Sequence, residues 1–115
     1  MRTYAIEDLY PADAERITAA LADQGLAGPI EGIFYLPVPE ELYSDEQREH
    51  APECGPYIMA LELVKRAEQC ELRLELLVRA RGRLRCSCIA YATPAQRAQM
   101  MDFLDRFIRE LDISV

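Results

Sequence analysis

Apolar and charged residues alternate through residues 57–90, which read YIMALELVKRAEQCELRLELLVRARGRLRCSCIA. A period of two is typical of β-strands that bury one face. Three successive runs keep their apolar residues on a common face: Tyr57, Met59, Leu61 and Leu63; Leu72, Leu74, Leu76 and Val78; and Leu84, Cys86, Cys88 and Ala90. The stretch therefore predicts three consecutive strands in an antiparallel meander.

The two turns predict how these strands pair. A three-residue loop over 80–82, with Gly82 in the left-handed position, keeps every apolar side chain on one face. In the preceding hairpin, the pairing that keeps the apolar side chains on one face also brings Glu62 opposite Arg73 on the other face. The full set of predicted pairs is Tyr57 with Val78, Met59 with Leu76, Leu63 with Leu72, Val78 with Leu84, Leu76 with Cys86, and Leu74 with Cys88.

The residues before the meander predict a strand, a helix and a second strand. Residues 3–9 form a short strand, and a helix over 11–24 begins at Pro11 and ends at Gly25, a position suited to a left-handed cap. Residues 30–38 alternate as a strand that ends in prolines. If the two strands are parallel neighbours, their connection is right-handed.

The last helix carries the clearest local signal. Thr93 and Gln96 flank Pro94 as a capping box, and apolar residues then recur at helical spacing over 94–111. This helix is expected to cover the leucine-rich sheet face together with helix 11–24. Asp102 with Arg106 and Asp105 with Arg109 are spaced as ion pairs.

The resulting order, β-α-β-β-β-β-α, predicts an α+β fold with a mainly antiparallel five-stranded sheet and two helices on one face. It loosely resembles the ferredoxin-like α+β sandwiches, whose opening βαβ unit it shares, although its second half lacks the β-α-β of that fold. The resemblance is of topology only and implies no function. We expect residues 1–115 to form a single domain with an acidic insertion at 39–56.

Composition and charge narrow the possible partners. The net charge of −7 disfavours binding to nucleic acid and to anionic membranes. No apolar run is long enough to span a bilayer and no secretory signal is evident, so the predicted location is the cytoplasm. The four cysteines are expected to be thiols in that compartment. No cofactor is predicted.

A four-residue metal set is suggested by spacing, since His50 and Cys54 read H-x3-C and Cys86 and Cys88 read C-x-C. Two same-face residues of one strand lie roughly 6.6 Å apart, whereas two thiolates on one zinc approach to roughly 3.8 Å. The predicted register also separates Cys54 from Cys86 by roughly 16 Å. On these grounds no metal site is predicted, and Cys86 and Cys88 are interpreted as core residues.

His50 and Cys54 form a second candidate by themselves. Ser44 and Gln47 make another capping box, which predicts a short helix over 45–50 that Pro52 ends. The break at Pro52 would remove the i,i+4 alignment of His50 with Cys54. A thiolate activated by imidazole remains an alternative to a solvated loop histidine.

Charge is distributed unevenly. Residues 39–56 hold six acidic residues against Arg48 alone, while residues 57–93 hold seven basic residues against four acidic ones. We expect the acidic segment to fold back against the arginines around the 80–83 turn, where Arg79 and Arg83 would be directly opposed. Either these charges are solvated surface, or the guanidinium groups of Arg79, Arg81 and Arg83 bind a small anion with His50 and Cys54 at the rim.

The sheet face opposite the leucines mixes apolar and charged side chains, which is the composition of an interface. Its predicted members are Ile58, Ala60, Val64, Leu77, Ile89, Tyr91, Glu62, Arg73, Glu75 and Arg85. We expect a symmetric homodimer through this face.

Two functional hypotheses follow. The absence of a glycine-rich phosphate loop, a Ser/His/Asp set or a paired acid motif favours a non-enzymatic regulatory or protein-interaction module of the small bacterial α+β type. The alternative is a small enzyme, or an anion- or metal-ligand-binding domain, with its site near His50, Cys54 and the Arg79–Arg85 hairpin.

Overall fold

A computed structural model describes residues 1–115. The elements in chain order are β1 Thr3–Leu9, α1 Pro11–Asp23, β2 Ile33–Pro37, a 3-10 turn at Glu40–Leu42, α2 Asp45–Cys54, β3 Tyr57–Lys65, β4 Cys70–Glu75, β5 Leu77–Ala80, β6 Ala90–Tyr91 and α3 Pro94–Glu110. The α+β class is confirmed. The sheet has six strands rather than five, and all of its pairings are antiparallel.

Strand β3 lies at the centre of the sheet. It pairs with β2 on one side and with β4 and then β5 on the other, while β1 pairs with β4 and β6 pairs with β5. The path from β1 to β2 passes through three antiparallel pairings, β1 with β4, β4 with β3, and β3 with β2. These two strands therefore lie on opposite edges and run in opposite directions. The condition for a right-handed crossover, that β1 and β2 are parallel, is therefore not met, and the ferredoxin-like topology is not confirmed.

The predicted β3–β4 register is confirmed, with Leu63 opposite Leu72 and Glu62 opposite Arg73. Beyond Glu75 the ladder shifts, and Tyr57 faces Ala80 instead of Val78. The shift arises because Leu76 turns its backbone toward other partners: its N–H donates to the Arg2 carbonyl, and its own carbonyl accepts from the Ala92 N–H. Residues 70–79 therefore form two strands instead of one.

The predicted third strand of the meander is wrong apart from Ala90 and Tyr91. These two residues pair with Val78 and Leu77, so the predicted pairs of Val78 with Leu84, Leu76 with Cys86 and Leu74 with Cys88 are also wrong. Leu84, expected to face Val78, is 95% exposed. After Ala80 the chain turns toward α2, because the Arg81 N–H donates to the Pro56 carbonyl and the Gly82 N–H donates to the Cys54 carbonyl. Residues 81–89, here called the arginine loop, are irregular as a result.

The core lies between the leucine-rich face of the sheet and two helices, as predicted. Both helices contribute buried residues to one cluster with the sheet: Ala14, Ile17 and Leu21 from α1, and Met100, Leu104, Phe107 and Ile108 from α3. The left-handed conformation of Gly25, with φ of 76°, ends the first helix. None of the helices combines the length and apolar character that a membrane span requires.

Candidate functional site

Helix α2 supplies two of the four side chains of the site. Its capping box at Ser44 and Gln47 is formed as predicted, but the helix runs through Pro52 to Cys54 instead of ending near residue 50. A proline in an exposed last turn removes only the bond to the Arg48 carbonyl, which water can replace. His50 and Cys54 therefore stay aligned, one helical turn apart on the same face.

The arginine loop supplies the other two side chains. The Ile89 N–H donates to the Cys86 carbonyl at 3.1 Å, which closes a tight turn over 86–89. Because the backbone is turned here and not extended, the strand spacing assumed from the sequence does not apply. The ligand atoms of His50, Cys54, Cys86 and Cys88 all lie within 4.8 Å of one another. The expected separation of roughly 16 Å between Cys54 and Cys86 is wrong.

These distances suit a tetrahedral metal centre. Sulfur atoms that share one zinc lie about 3.8 Å apart, so only small side-chain rotations separate this cluster from coordination. The His50 Nδ1 lies 3.0 Å from the Cys86 Sγ. Cys54 and Cys88 are 2% and 1% exposed, while His50 and Cys86 are half-buried. The cluster is thus enclosed by protein on the core side and reachable from solvent on the other.

The protonation states of the thiols differ within the cluster. Hydrogen bonds from the backbone and thiol of Cys88, and then from Cys54 and His50, lower the pKa of Cys86 to about 6. Burial is the main reason that the pKa of Cys54 is raised to about 12. The contact with Cys86 raises the pKa of His50. The Cys86 thiol therefore ionises more readily than the Cys54 thiol, which needs a nearby cation to lose its proton.

A buried polar network holds the 86–88 turn against α2. Gln47 donates from Nε2 to the Cys88 carbonyl at 3.3 Å, and Gln96 donates from Nε2 to Gln47 Oε1 at 2.9 Å and to the Leu42 carbonyl at 2.8 Å. Both glutamines also complete the capping boxes of their helices. The two helix starts are therefore joined directly beside the cluster.

The tip of the arginine loop packs closely on the end of α2. A Cβ at Gly82 would lie 2.5 Å from the Glu53 carbonyl oxygen, so only glycine permits this approach. Arg83 pairs with Glu53 at 3.0 Å, and Ser87 Oγ donates to Glu46 Oε2 at 2.6 Å. The predicted folding of the acidic segment against the arginine tip is confirmed by these contacts.

The arginines themselves diverge instead of facing one another. Arg79 pairs with Glu75 on the outer face of the sheet, and the Arg81 guanidinium lies 5.0 Å from the Tyr35 ring centroid. The expected opposition of Arg79 and Arg83 is wrong, because residue 79 faces Ile58 across the ladder. Of the predicted ligand-binding residues, the structure brings His50 and Cys54 together and places Arg79, Arg81 and Arg83 elsewhere.

Cys86 and Cys88 were rejected as partners of His50 and Cys54 because residues 84–90 were predicted to form an extended strand, although the H-x3-C and C-x-C spacings pointed to all four residues. The fourth cysteine, Cys70, is buried on β4 outside the cluster, and all four are free thiols. Comparisons of the chain with protein-family models, curated proteins and solved structures find no match.

Proposed function

We propose that the chain is a zinc-binding module in which His50, Cys54, Cys86 and Cys88 hold one metal ion. The observation that carries this proposal is the convergence of the four ligand atoms within 4.8 Å. Three thiolates and one imidazole are a donor set that selects zinc among common divalent metals, because soft sulfur ligands and tetrahedral geometry both suit it.

The proposed zinc has a structural role. Four protein ligands fill its tetrahedral coordination, whereas catalytic zinc keeps one position for water or substrate. The surrounding chain also shows what the metal would stabilise. Residues 83–88 take part in a single backbone–backbone hydrogen bond, in which the Ile89 N–H donates to the Cys86 carbonyl. A metal bound by Cys86 and Cys88 would add to the side-chain contacts that already join this segment to α2, those of Gln47 with the Cys88 carbonyl and of Ser87 with Glu46.

This role agrees with the regulatory or protein-interaction hypothesis more closely than with a small enzyme. The metal would order a loop that displays Arg85 and Leu84 at the surface, and Leu84 is 95% exposed. An ordered surface loop can bind a protein partner without catalysing a reaction on that partner. We infer that zinc binding, and not catalysis, is the primary biochemical property of the domain.

Metal analysis of the full chain tests the proposal. The protein, purified under reducing conditions and reconstituted with Zn(II), should retain about one zinc per chain after removal of free metal. Cys86→Ser and Cys88→Ser should abolish retention. Cys70→Ala is the matched control, because it removes a buried thiol outside the cluster, and it should keep the zinc.

A second measurement does not depend on variants that may fold poorly. Wild-type protein reconstituted with Co(II) should show the intense visible bands of a tetrahedral site together with thiolate-to-metal charge transfer. Failure to retain stoichiometric Zn(II), or a Co(II) spectrum of octahedral type, would overturn the proposal. Equal loss of zinc from Cys70→Ala would overturn the ligand assignment.

A further inference from the structure

A cleft lies on the outer face of the sheet, the face opposite the two core helices. Its lining includes Ile58 of β3, which is 5% exposed, Ile33 and Tyr35 of β2, and Leu84 and Ile89 of the arginine loop. Its volume of about 460 Å³ is within the range of small-molecule sites. Most of its lining residues are apolar, whereas the other clefts of similar volume are lined mainly by polar residues.

The cleft contains one unpaired positive charge. Arg79 is neutralised by Glu75 at the same rim, but Arg81 belongs to none of the ion pairs of the chain. The Arg81 guanidinium lies over the Tyr35 ring, 5.0 Å from its centroid, and this contact leaves its N–H donors available for hydrogen bonds. A guanidinium held in this way can bind an oxyanion through two parallel hydrogen bonds.

We propose that this cleft binds a small amphipathic anion, a carboxylate or similar oxyanion attached to a short apolar group. The oxyanion pairs with Arg81 while the apolar group packs against Leu84 and Ile89. One free cation suits one negative charge, and the net charge of −7 repels polyanions such as nucleic acid. No metal ligand lines the cleft, but Leu84 and Ile89 belong to the loop that the proposed zinc would order, so the inference rests on the proposed function to that extent.

Octanoate and 1-octanol provide the test, because they share an apolar chain and differ in charge. In NMR titrations of the full zinc-reconstituted chain, octanoate should shift the backbone amides of Tyr35, Ile58 and Ile89. Arg81→Gln should weaken octanoate binding by about tenfold or more, as expected for loss of a charge-assisted hydrogen bond. Binding of octanol should not change in that variant.

Two further variants separate the apolar and charged contributions. Leu84→Ser should weaken binding of both probes, and it does not threaten folding because Leu84 is 95% exposed. Arg97→Gln removes an exposed arginine of α3, away from the cleft, and serves as the matched control. The proposal is overturned if octanoate binds no better than octanol, or if Arg97→Gln weakens octanoate as much as Arg81→Gln. Self-association that Leu84→Ser abolishes, without octanoate binding, would assign the cleft to a second copy and also overturn it.

Discussion

At the scale of single residues, Gln47 links the helix that carries His50 and Cys54 to the turn that carries Cys88. Its side chain is 2% exposed and bonds the Cys88 carbonyl while completing the cap of α2. Partners that orient ligand residues typically change metal affinity by about 10- to 100-fold when removed. Gln47 is thus a positioning residue for the proposed metal.

Replacing Gln47 with leucine should lower zinc affinity by at least about tenfold, because the bond to the Cys88 carbonyl is lost and the Gln96 amide loses an acceptor. Competition against a chelator of known affinity measures the change. Gln99→Leu, an exposed change on α3, should leave affinity unaltered. Unaltered affinity in Gln47→Leu would show that the polar network does not position the ligands.

Glu71 is the one buried acidic residue, at 9% exposure, and it accepts hydrogen bonds from Arg73 and Arg66. Chiefly because of Arg73, these arginines hold the pKa of its carboxyl below the usual 4.5. A group whose pKa is lowered by folding adds stability above its unfolded pKa, and that stability is lost as pH falls through the folded pKa.

The free energy of unfolding should therefore decline as pH falls below about 5, and Glu71→Gln should flatten this decline. Denaturant titrations at several pH values measure it. Glu68→Gln, at an exposed position in the same turn and outside any ion pair, is the control and should leave the profile unchanged. If the free energy of unfolding of Glu71→Gln fell with pH as steeply as that of the wild type, the expectation would be contradicted.

Local residue chemistry could be predicted from the sequence where neighbours in the chain decide it. Both capping boxes are found at the predicted residues, because such caps depend on groups three positions apart. The contact between Gln47 and Gln96 was not predictable in this way, since it depends on how two helices approach. The same limit applied to Cys54 and Cys86, which meet only in the tertiary structure.

At the scale of elements, the arginine loop should depend on metal more than any strand does. Removing zinc with a chelator under reducing conditions should speed amide exchange in residues 83–89 while leaving β3 and β4 protected. Exchange followed by mass spectrometry resolves these segments. In Cys86→Ser the chelator should have no further effect. Equal protection of 83–89 with and without metal would contradict the proposed structural role.

The loop also shows why one strand was predicted wrongly. The β3–β4 hairpin follows its leucine pattern, because that pattern places one continuous face against α1 and α3. Leu84, Cys86 and Cys88 show the same alternation for a different reason, since a C-x-C turn directs both thiols toward α2. Periodicity alone does not distinguish these two causes, and the resulting strand assignment then excluded the metal site on geometric grounds.

At the scale of the whole molecule, the fold class, both core helices and the buried face were predictable, whereas the strand order was not. The order depends on β1 pairing with β4 at the far side of the sheet from β2. No local pattern in residues 3–9 selects β4 as the partner, because any strand with the same alternation of apolar and polar residues could pair with β1 equally well.

The homodimer expected through the outer face stays a prediction at this scale. Leu77 is half-buried and Tyr91 is 39% exposed beside it, away from the lining of the cleft. Leu77→Glu should convert a dimer to a monomer, because it places two like charges near the symmetry axis of the contact. Sedimentation at tens of micromolar measures the mass, with Ala98→Glu on exposed α3 as the control. A monomeric wild type would contradict the prediction.

The pairing of β1 with β4 has a consequence for how the chain reaches its native state. Thr3 meets Glu75 and Ile6 meets Leu72, so β1 is synthesised long before its partner strand exists. Contacts between distant parts of a chain form slowly, because closing a long loop loses conformational entropy before any pairing compensates. The β3–β4 hairpin is local and should form first, with β1 docking after the rate-limiting barrier. In stopped-flow experiments Ile6→Val should therefore accelerate unfolding while leaving the refolding rate nearly unchanged. Slower refolding in Ile6→Val would place β1 inside the folding nucleus.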